Sequence, residues 1–470
     1  MKLSIYRRFA SEVKLRMGVF RTKLSLISNK LYARLNILVL VPASMAVLWS
    51  AVVGWNYYDV RYFIAWYEKY FQPGRILDIY ADPDPTFKVA YPPLTVLIFT
   101  VMYHLANTLT SDPVLQVFIT KLPLVISFYL VYIVLVKKYS STAGYLWLLN
   151  ILVYSTIFTA QFDLIVSLFV LLALYYLAEK GNYTLYAVFI SLSALIKHPT
   201  ALLLLPPVLV LLKKRDYSLL LKYTIAVVAV TVPILMPFLL RDPRGFLEKV
   251  VFFHAKRPPQ HLSIWTIPYY YVNYDLYAVP SIFMNVWLPC FLAYLLYVLL
   301  MAVREGTRDE GSFVLKYNIL LLCGFLALSK VINSNYYMWL LPPTLLLFNR
   351  FKQDEKMFRS FIKIYLFGFL WIANHGFFSS FVPLVAGDPI FVFEDWNYMP
   401  SELIYLESQS SRFFRRIVMN TVFYLRSSNT LREIFNILSK THCYILILVS
   451  LVHTAFQVYI IRLALKYLKS

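Results

Sequence analysis

Apolar runs of about 17–22 residues recur along the whole chain with short basic punctuation between them, and one long polar interruption, residues 56–93, breaks the first half. A run of that length crosses a hydrocarbon core of roughly 30 Å as a helix. The period-2 alternation of barrel strands is absent, and backbone polar groups in lipid must be satisfied internally. The pattern therefore predicts an all-α fold, a polytopic membrane helical bundle. About twelve spans follow, near 35–55, 116–136, 144–159, 164–178, 185–196, 200–212, 221–240, 281–303, 316–331, 336–348, 361–381 and 445–465. The run 94–109 is apolar enough to cross, yet it opens on Pro92-Pro93 and contains His104.

Charge decides that case. Residues 1–34 carry nine Lys and Arg against the single acid Glu12, and a basic flank beside a first span stays cytoplasmic. If 94–109 crossed, Lys137-Lys138, Lys213-Lys214-Arg215, Arg304 with Arg308, and Arg350 with Lys352 would all face outward. If it lies along or dips into the outer face, all of them face inward with the N-terminus. The second arrangement is the expected one, with juxtamembrane helices in the first outer loop and both termini cytoplasmic.

The 470 residues are 60% hydrophobic and 15% charged, with a mean hydropathy of +0.63, which excludes an ordinary soluble domain. The net charge of +21 does not indicate nucleic acid, because the cations sit at the ends of apolar runs rather than on one continuous face. Cys290, Cys323 and Cys443 lie in or beside spans without metal-ligand spacing. The first run starts too far in, and is too long, for a cleaved signal peptide. The expected organisation is a basic cytoplasmic segment 1–34, a catalytic core 35–381 with the outer loop 56–109, an outer-face loop 382–442 with amphipathic helices, and a last span with cytoplasmic tail, 443–470.

This topology gathers polar residues on the outer side. Asp59 follows the belt Trp55-Asn56-Tyr57-Tyr58 at the mouth of the bundle, as a functional carboxylate or as a solvated helix end. Asp163, two residues after Gln161, either orients a substrate hydroxyl or a basic partner, or caps the helix beginning at Leu164. Lys197-His198 closes an apolar run, binding an anion or snorkelling to the interface, and Lys330 with Asn333, Asn335 and Tyr336 poses the same choice. Arg257 and Gln260 belong to a loop with His254, Lys256 and His261, followed by Trp265 and Tyr269-Tyr270-Tyr271, a mixture suited to a lipid phosphate or a sugar ring. Of the remaining first-loop acids, those in the Asp78–Asp84 segment read as solvated or acceptor-facing.

Asp59 with Tyr62, Gly74, Ile79-Tyr80 and Tyr91-Pro92-Pro93-Leu94 resembles the first-loop pattern of the C-type (GT-C superfamily) multi-spanning glycosyltransferases that use polyprenyl-phosphate sugars. Leu148-Leu149-Asn150, Gln161-Phe162-Asp163, Leu195-Ile196-Lys197-His198-Pro199, Arg257 to Trp265 and Lys330 to Tyr337 resemble that family's later landmarks in the same order. The resemblance implies a luminal or extracellular site, inversion at the sugar, and a first-loop acid, Asp59, as general base. Two departures stand out: Lys121-Leu122-Pro123 replaces the acid often found at the start of the second span, and Tyr91 precedes Pro-Pro where relatives have a base, leaving Lys88 as a displaced candidate.

Transfer from a lipid phosphate needs a base for the acceptor proton and cations for the departing phosphate. Asp59 is the expected base and Lys197 the phosphate binder. Tyr62, Lys88, Tyr91, Gln161, Asp163, His198, Arg257, Gln260, Lys330, Asn335 and Tyr336 complete the expected binding set. No cofactor is required in this scheme, with a divalent cation on Asp59 and Asp163 as the variant. The expected activity is transfer of a hexose, mannose or glucose, from a polyprenyl (dolichol-type) phosphate to a lipid-linked glycan or similar hydroxyl acceptor, among membrane lipids and without nucleic acid. A transporter or lipid flippase is the rival; against it stand the lack of a clear internal repeat and only 12 Gly.

Overall fold

The computed structural model describes residues 38–52, 57–72, 75–84, 87, 89–272, 279–351, 354–373 and 427–468. The chain divides into two compact units, Met1–Leu48 and Trp49–Ser470. Described residues of the first belong to helix α1, Leu38–Val52, whose exposed Leu38, Val41 and Met45 recur at helical spacing.

In the second unit α2 (Tyr57–Tyr70) and α3 (Pro93–Leu109) pack together. Between them a 3₁₀ turn spans Ile76–Ala81. Then come α4 (Pro113–Thr120), α5 (Leu122–Lys138), α6 (Ser141–Leu148), α7 (Ile151–Phe158), α8 (Asp163–Lys180), α9 (Tyr183–Ala194), α10 (Leu205–Lys214) and α11 (Tyr217–Arg241). The set is completed by α12 (Trp287–Arg304), α13 (Glu310–Leu328), α14 (Tyr337–Phe351), α15 (Glu355–Ala373) and α16 (Asn429–Tyr467).

Within the described residues each expected span overlaps a helix or a bent helix pair. Among these residues four segments are long and apolar enough to cross alone: Tyr217–Arg241, Ile282–Arg304, Glu310–Leu328 and Cys443–Tyr467. The pairs α4–α5 and α6–α7, bent by 45° and 49°, raise the number to six. Both bends have local causes. Pro123 stands in the first turn of α5, where it lacks an amide donor, and the Asn150 side chain accepts from Leu152 N, starting α7 afresh. At the other connections Gly181 (φ 60°) and Arg215 (φ 56°) end helices in the left-handed region, and the next residues, Asn182 and Asp216, cap α9 and α11.

Burial separates two kinds of helix. α11 exposes Leu221, Ile225, Val228 and Val232, and α12 exposes Leu288, Leu292, Leu296 and Leu300, each an apolar stripe suited to lipid. α13 and α14 are buried almost throughout, with α8 and α16 packed against them. Gly324 of α13 is required there, because a Cβ would fall 1.9 Å from the Tyr294 ring. The segment 382–426 assigned to the outer-face loop lies outside the described residues, while residues 429–442 form the first turns of the 39-residue α16.

Candidate active site

Three turns meet at the N-terminus of α8. Ala160 adopts φ 55°, a left-handed conformation unusual for a residue with a Cβ, and it turns the chain so that Gln161 and Asp163 lie against Asn335. Asp163 is fully buried. It is not a cap: α8 has no side-chain N-cap bond, and the carboxylate instead accepts from Trp339 Nε1 at 2.6 Å and from Asn335 Nδ2. Asn335 Nδ2 also donates to Gln161 Oε1 at 3.0 Å. Lys197 Nζ stands 4.0 Å from Asp163 Oδ1.

The surroundings of Lys197 correct one of the two expectations for it. The ammonium does not snorkel; it is buried over three rings, 4.5 Å from the centroid of Phe162, 4.8 Å from Tyr336 and 5.1 Å from Tyr91. A buried cation that already has a carboxylate and aromatic faces is a structural partner of Asp163. His198, the next residue, is exposed at the start of the 3₁₀ helix His198–Leu204. Thr95 of α3 donates to Ile196 O at 3.0 Å and fastens the first-loop helices to this turn.

A second group forms around the long outer loop. Gln260 and His261 (β1) pair in parallel with Val331 and Ile332 (β2), with Gln260 N donating to Lys330 O at 2.8 Å. His261 has φ 61°, and its strained backbone is held by Tyr270, whose hydroxyl donates to its carbonyl at 2.8 Å. Arg257 donates to Gln260 Oε1, and Lys330 Nζ donates to Ala255 O at 2.6 Å and Met284 O at 3.3 Å. Lys330 is thus a buried strut for the loop.

The two loops are clamped together. Asp82 accepts from Tyr70 at 2.6 Å and from its own neighbour Asp84 N at 2.9 Å, and pairs with Lys69 at 2.6 Å. Burial works against its charge, but the bonds from Lys69, Tyr70 and Asp84 outweigh it and hold the carboxyl below the usual carboxylate range. Lys249 donates to Asp82 O at 2.6 Å, and burial lowers its ammonium from the usual lysine value. Asp78 pairs with Arg241. Asp78 and Asp82 are therefore bound to protein groups rather than solvated. Gly245 lies so near Tyr80 O that a Cβ would approach it to 2.5 Å.

Beside the clamp, Asp84, Val89, Ala90, Lys249, Lys256 and Arg257 line a cavity of about 360 Å³. Next along the chain, Tyr91 is half-buried with its ring centroid 4.6 Å from that of Phe162, one of the rings around Lys197. Tyr62 is buried in α2. Asp59 lies in the first turn of α2, and its side chain, like Lys88, lies outside the described residues. Both Asp163 oxygens already accept hydrogen bonds, and no cluster of three His, Cys, Asp or Glu occurs among the described residues.

Two partners escaped the sequence reading. Trp339 is four residues beyond Asn335, a spacing that shares a helical face and could have marked it. Lys121, noted only as a departure, is buried and donates to Ser50 O at 3.3 Å and Phe158 O at 3.2 Å.

A helical bundle with segments long and apolar enough to cross a membrane, carrying a cavity lined by Lys249, Lys256 and Arg257, places the chain in the class of polytopic membrane proteins. The family model described as Glycosyltransferase family 87 matches residues 89–329, just over half of the chain, and the chain belongs to that family. It is a membrane glycosyltransferase of the C type, as the resemblance implied. The match takes in Tyr91, Gln161, Asp163, Lys197, His198, Arg257 and Gln260. No curated protein matches the chain. Among solved structures, ArnT from Cupriavidus metallidurans in the apo state is similar at 13% identity and a TM-score of 0.46, over 93% of this chain and 78% of that one. The same protein bound to undecaprenyl phosphate gives 13% and 0.41, over 91% and 77%.

Proposed function

We propose that the protein is an inverting hexosyltransferase that moves mannose or glucose from a polyprenyl-phosphate donor to a hydroxyl of a lipid-linked glycan or similar acceptor. The reaction takes place on the outer face of the membrane, with both termini cytoplasmic. The observation that carries this reading is the cavity lined by Lys249, Lys256 and Arg257, set between the two outer loops of a glycosyltransferase. Arg257 takes over the phosphate role first expected of Lys197, because its guanidinium can fork onto two phosphate oxygens.

In the proposed reaction Asp59 accepts the proton of the acceptor hydroxyl while that oxygen attacks the anomeric carbon from the face opposite the phosphate. The bond from the anomeric carbon to the phosphate oxygen breaks, and the polyprenyl phosphate leaves with the electron pair, stabilised by Arg257, Lys256 and Lys249. Asp84 and Glu248, on the same cavity, face sugar hydroxyls. The protein's own cations supply the charge a metal would otherwise bring, so turnover is expected to survive chelation.

The test is turnover of purified enzyme with polyprenyl-phosphate mannose and, separately, glucose. Asp59→Asn is expected to lose about 10²–10⁴-fold in kcat. An Asp59→Asn enzyme that turns over within a few-fold of the parent removes the base from this scheme. Arg257→Ala is expected to lose on the order of 10²-fold.

A further inference from the structure

At the opposite end of α8 from Asp163, roughly 27 Å away for 18 residues at about 1.5 Å each, a second cavity of about 270 Å³ opens. The last turns of α5, α8 and α14 supply Lys138, Glu179 and Arg350, and Tyr139 lies between them. We propose that this cavity binds a phosphate group, matched best by the singly charged phosphodiester of an anionic phospholipid in the cytoplasmic leaflet.

Three observations support it. Lys138 and Arg350 make no ion pair among the described residues; Lys138 Nζ rests 5.6 Å from the Tyr175 ring centroid. The Tyr139 hydroxyl is buried and has no hydrogen-bond partner among the described residues, a cost that an acceptor oxygen in the cavity would remove. Asn349, by contrast, is already committed, bonded to Ser140 at 2.8 Å and to Leu345 O at 3.2 Å, so the lining donors without a hydrogen bond among the described residues are the two cations and the phenol. Arg350 also feels the charge of Asp309.

The competing term is the helix dipole. Three C-termini bring partial negative charge, each equivalent to about half an elementary charge. The guanidinium and ammonium carry full charges and give charge-assisted hydrogen bonds to phosphate, so the cations prevail. Glu179 at the rim sets the ligand's charge, since it opposes a doubly charged monoester more than a diester. Basic pockets between helices on the cytoplasmic side are suited to lipid headgroups, and the charge-derived topology puts this end there.

The experiment is native mass spectrometry of the full chain in detergent, counting molecules retained after addition of phosphatidylglycerol, diacylglycerol or inorganic phosphate. Phosphatidylglycerol is expected to be retained at least tenfold over diacylglycerol, and Lys138→Ala with Arg350→Ala is expected to abolish that preference. Tyr139→Phe, which preserves shape, is expected to lower retention about threefold and serves if the double variant does not fold. Unchanged retention in Tyr139→Phe and in a folded double variant overturns the site. Inorganic phosphate displacing the lipid at millimolar concentration overturns the lipid source. Neither outcome depends on glycosyl transfer.

Discussion

Asp163 and Asp82 are both carboxylates with fully buried side chains, and both lie near a lysine, yet they are built differently. Asp163 meets Lys197 at 4.0 Å, the lysine only 7% exposed, and its direct donors are the neutral Trp339 and Asn335. Asp82 meets Lys69 at 2.6 Å, the lysine 43% exposed, with Tyr70 as second donor. The first pair is a charge couple sealed by rings at the junction of three turns; the second is a half-wet clamp that ties the end of α2 to the Asp82–Asp84 segment of the same loop. The same two functional groups thus carry very different loads, because the cost of leaving one alone grows as water is excluded.

The largest break is at Asp163. Asp163→Ala leaves Lys197 buried without its counter-charge and is expected to destabilise by about 3–5 kcal/mol, offset by no more than ~2 kcal/mol from the rings already around the ammonium. Trp339→Phe keeps the charge couple and removes one donor, so it is expected to cost about 1–3 kcal/mol. The check is the thermal unfolding midpoint in detergent. A Trp339→Phe midpoint as low as that of Asp163→Ala would mean that the indole bond, not the lysine, carries the junction.

How much of this was legible follows the same division. Among the described residues the predicted spans fall on helices, because apolar length is a local property, whereas short helical turns such as Ile76–Ala81 and Ile267–Tyr271 carry no such signal. The sidedness argument grouped Gln161, Asp163, Lys197 and Asn335, and the structure brings those four together with Tyr91 and Tyr336. What the sequence could not display was which groups each side chain would spend its bonds on. Lys197 read as a cation awaiting an anion because its three rings come from residues 91, 162 and 336, far apart in the chain. Asp82 read as solvated because Lys69 and Tyr70 lie across a turn whose geometry depends on the Ile76–Ala81 3₁₀ helix. Lys121 read as an anomaly for the same reason, since its acceptors are the carbonyls of Ser50 and Phe158.

An intermediate effect is expected at Asp82, with a pH signature. Its folded-state pKa is depressed, so the stability it contributes is complete above the unfolded value of roughly 3.9 and is lost as pH falls through the lower folded value. Asp82→Asn cannot titrate. At pH 6 it is expected to be less stable than the parent by about 1–2 kcal/mol, and the gap should close as pH drops below about 4. Midpoints measured from pH 3 to pH 6 decide it: a gap that widens in acid would mean Asp82 is held protonated in the folded protein.

The smallest effect is expected where clamp chemistry meets open water. Arg241 pairs with Asp78, but its side chain is 59% exposed, against 29% for the acid. Exposed pairs contribute little because the ions keep most of their hydration and salt screens the rest. Arg241→Ala is therefore expected to leave the unfolding midpoint within a degree or so of the parent, and any difference should vanish on the order of 1 M salt, where the Debye length is about 3 Å. A salt-resistant loss as large as that of Asp82→Asn would show that Arg241 acts through the packing of the Asp242–Gly245 turn against Tyr80 rather than through its charge.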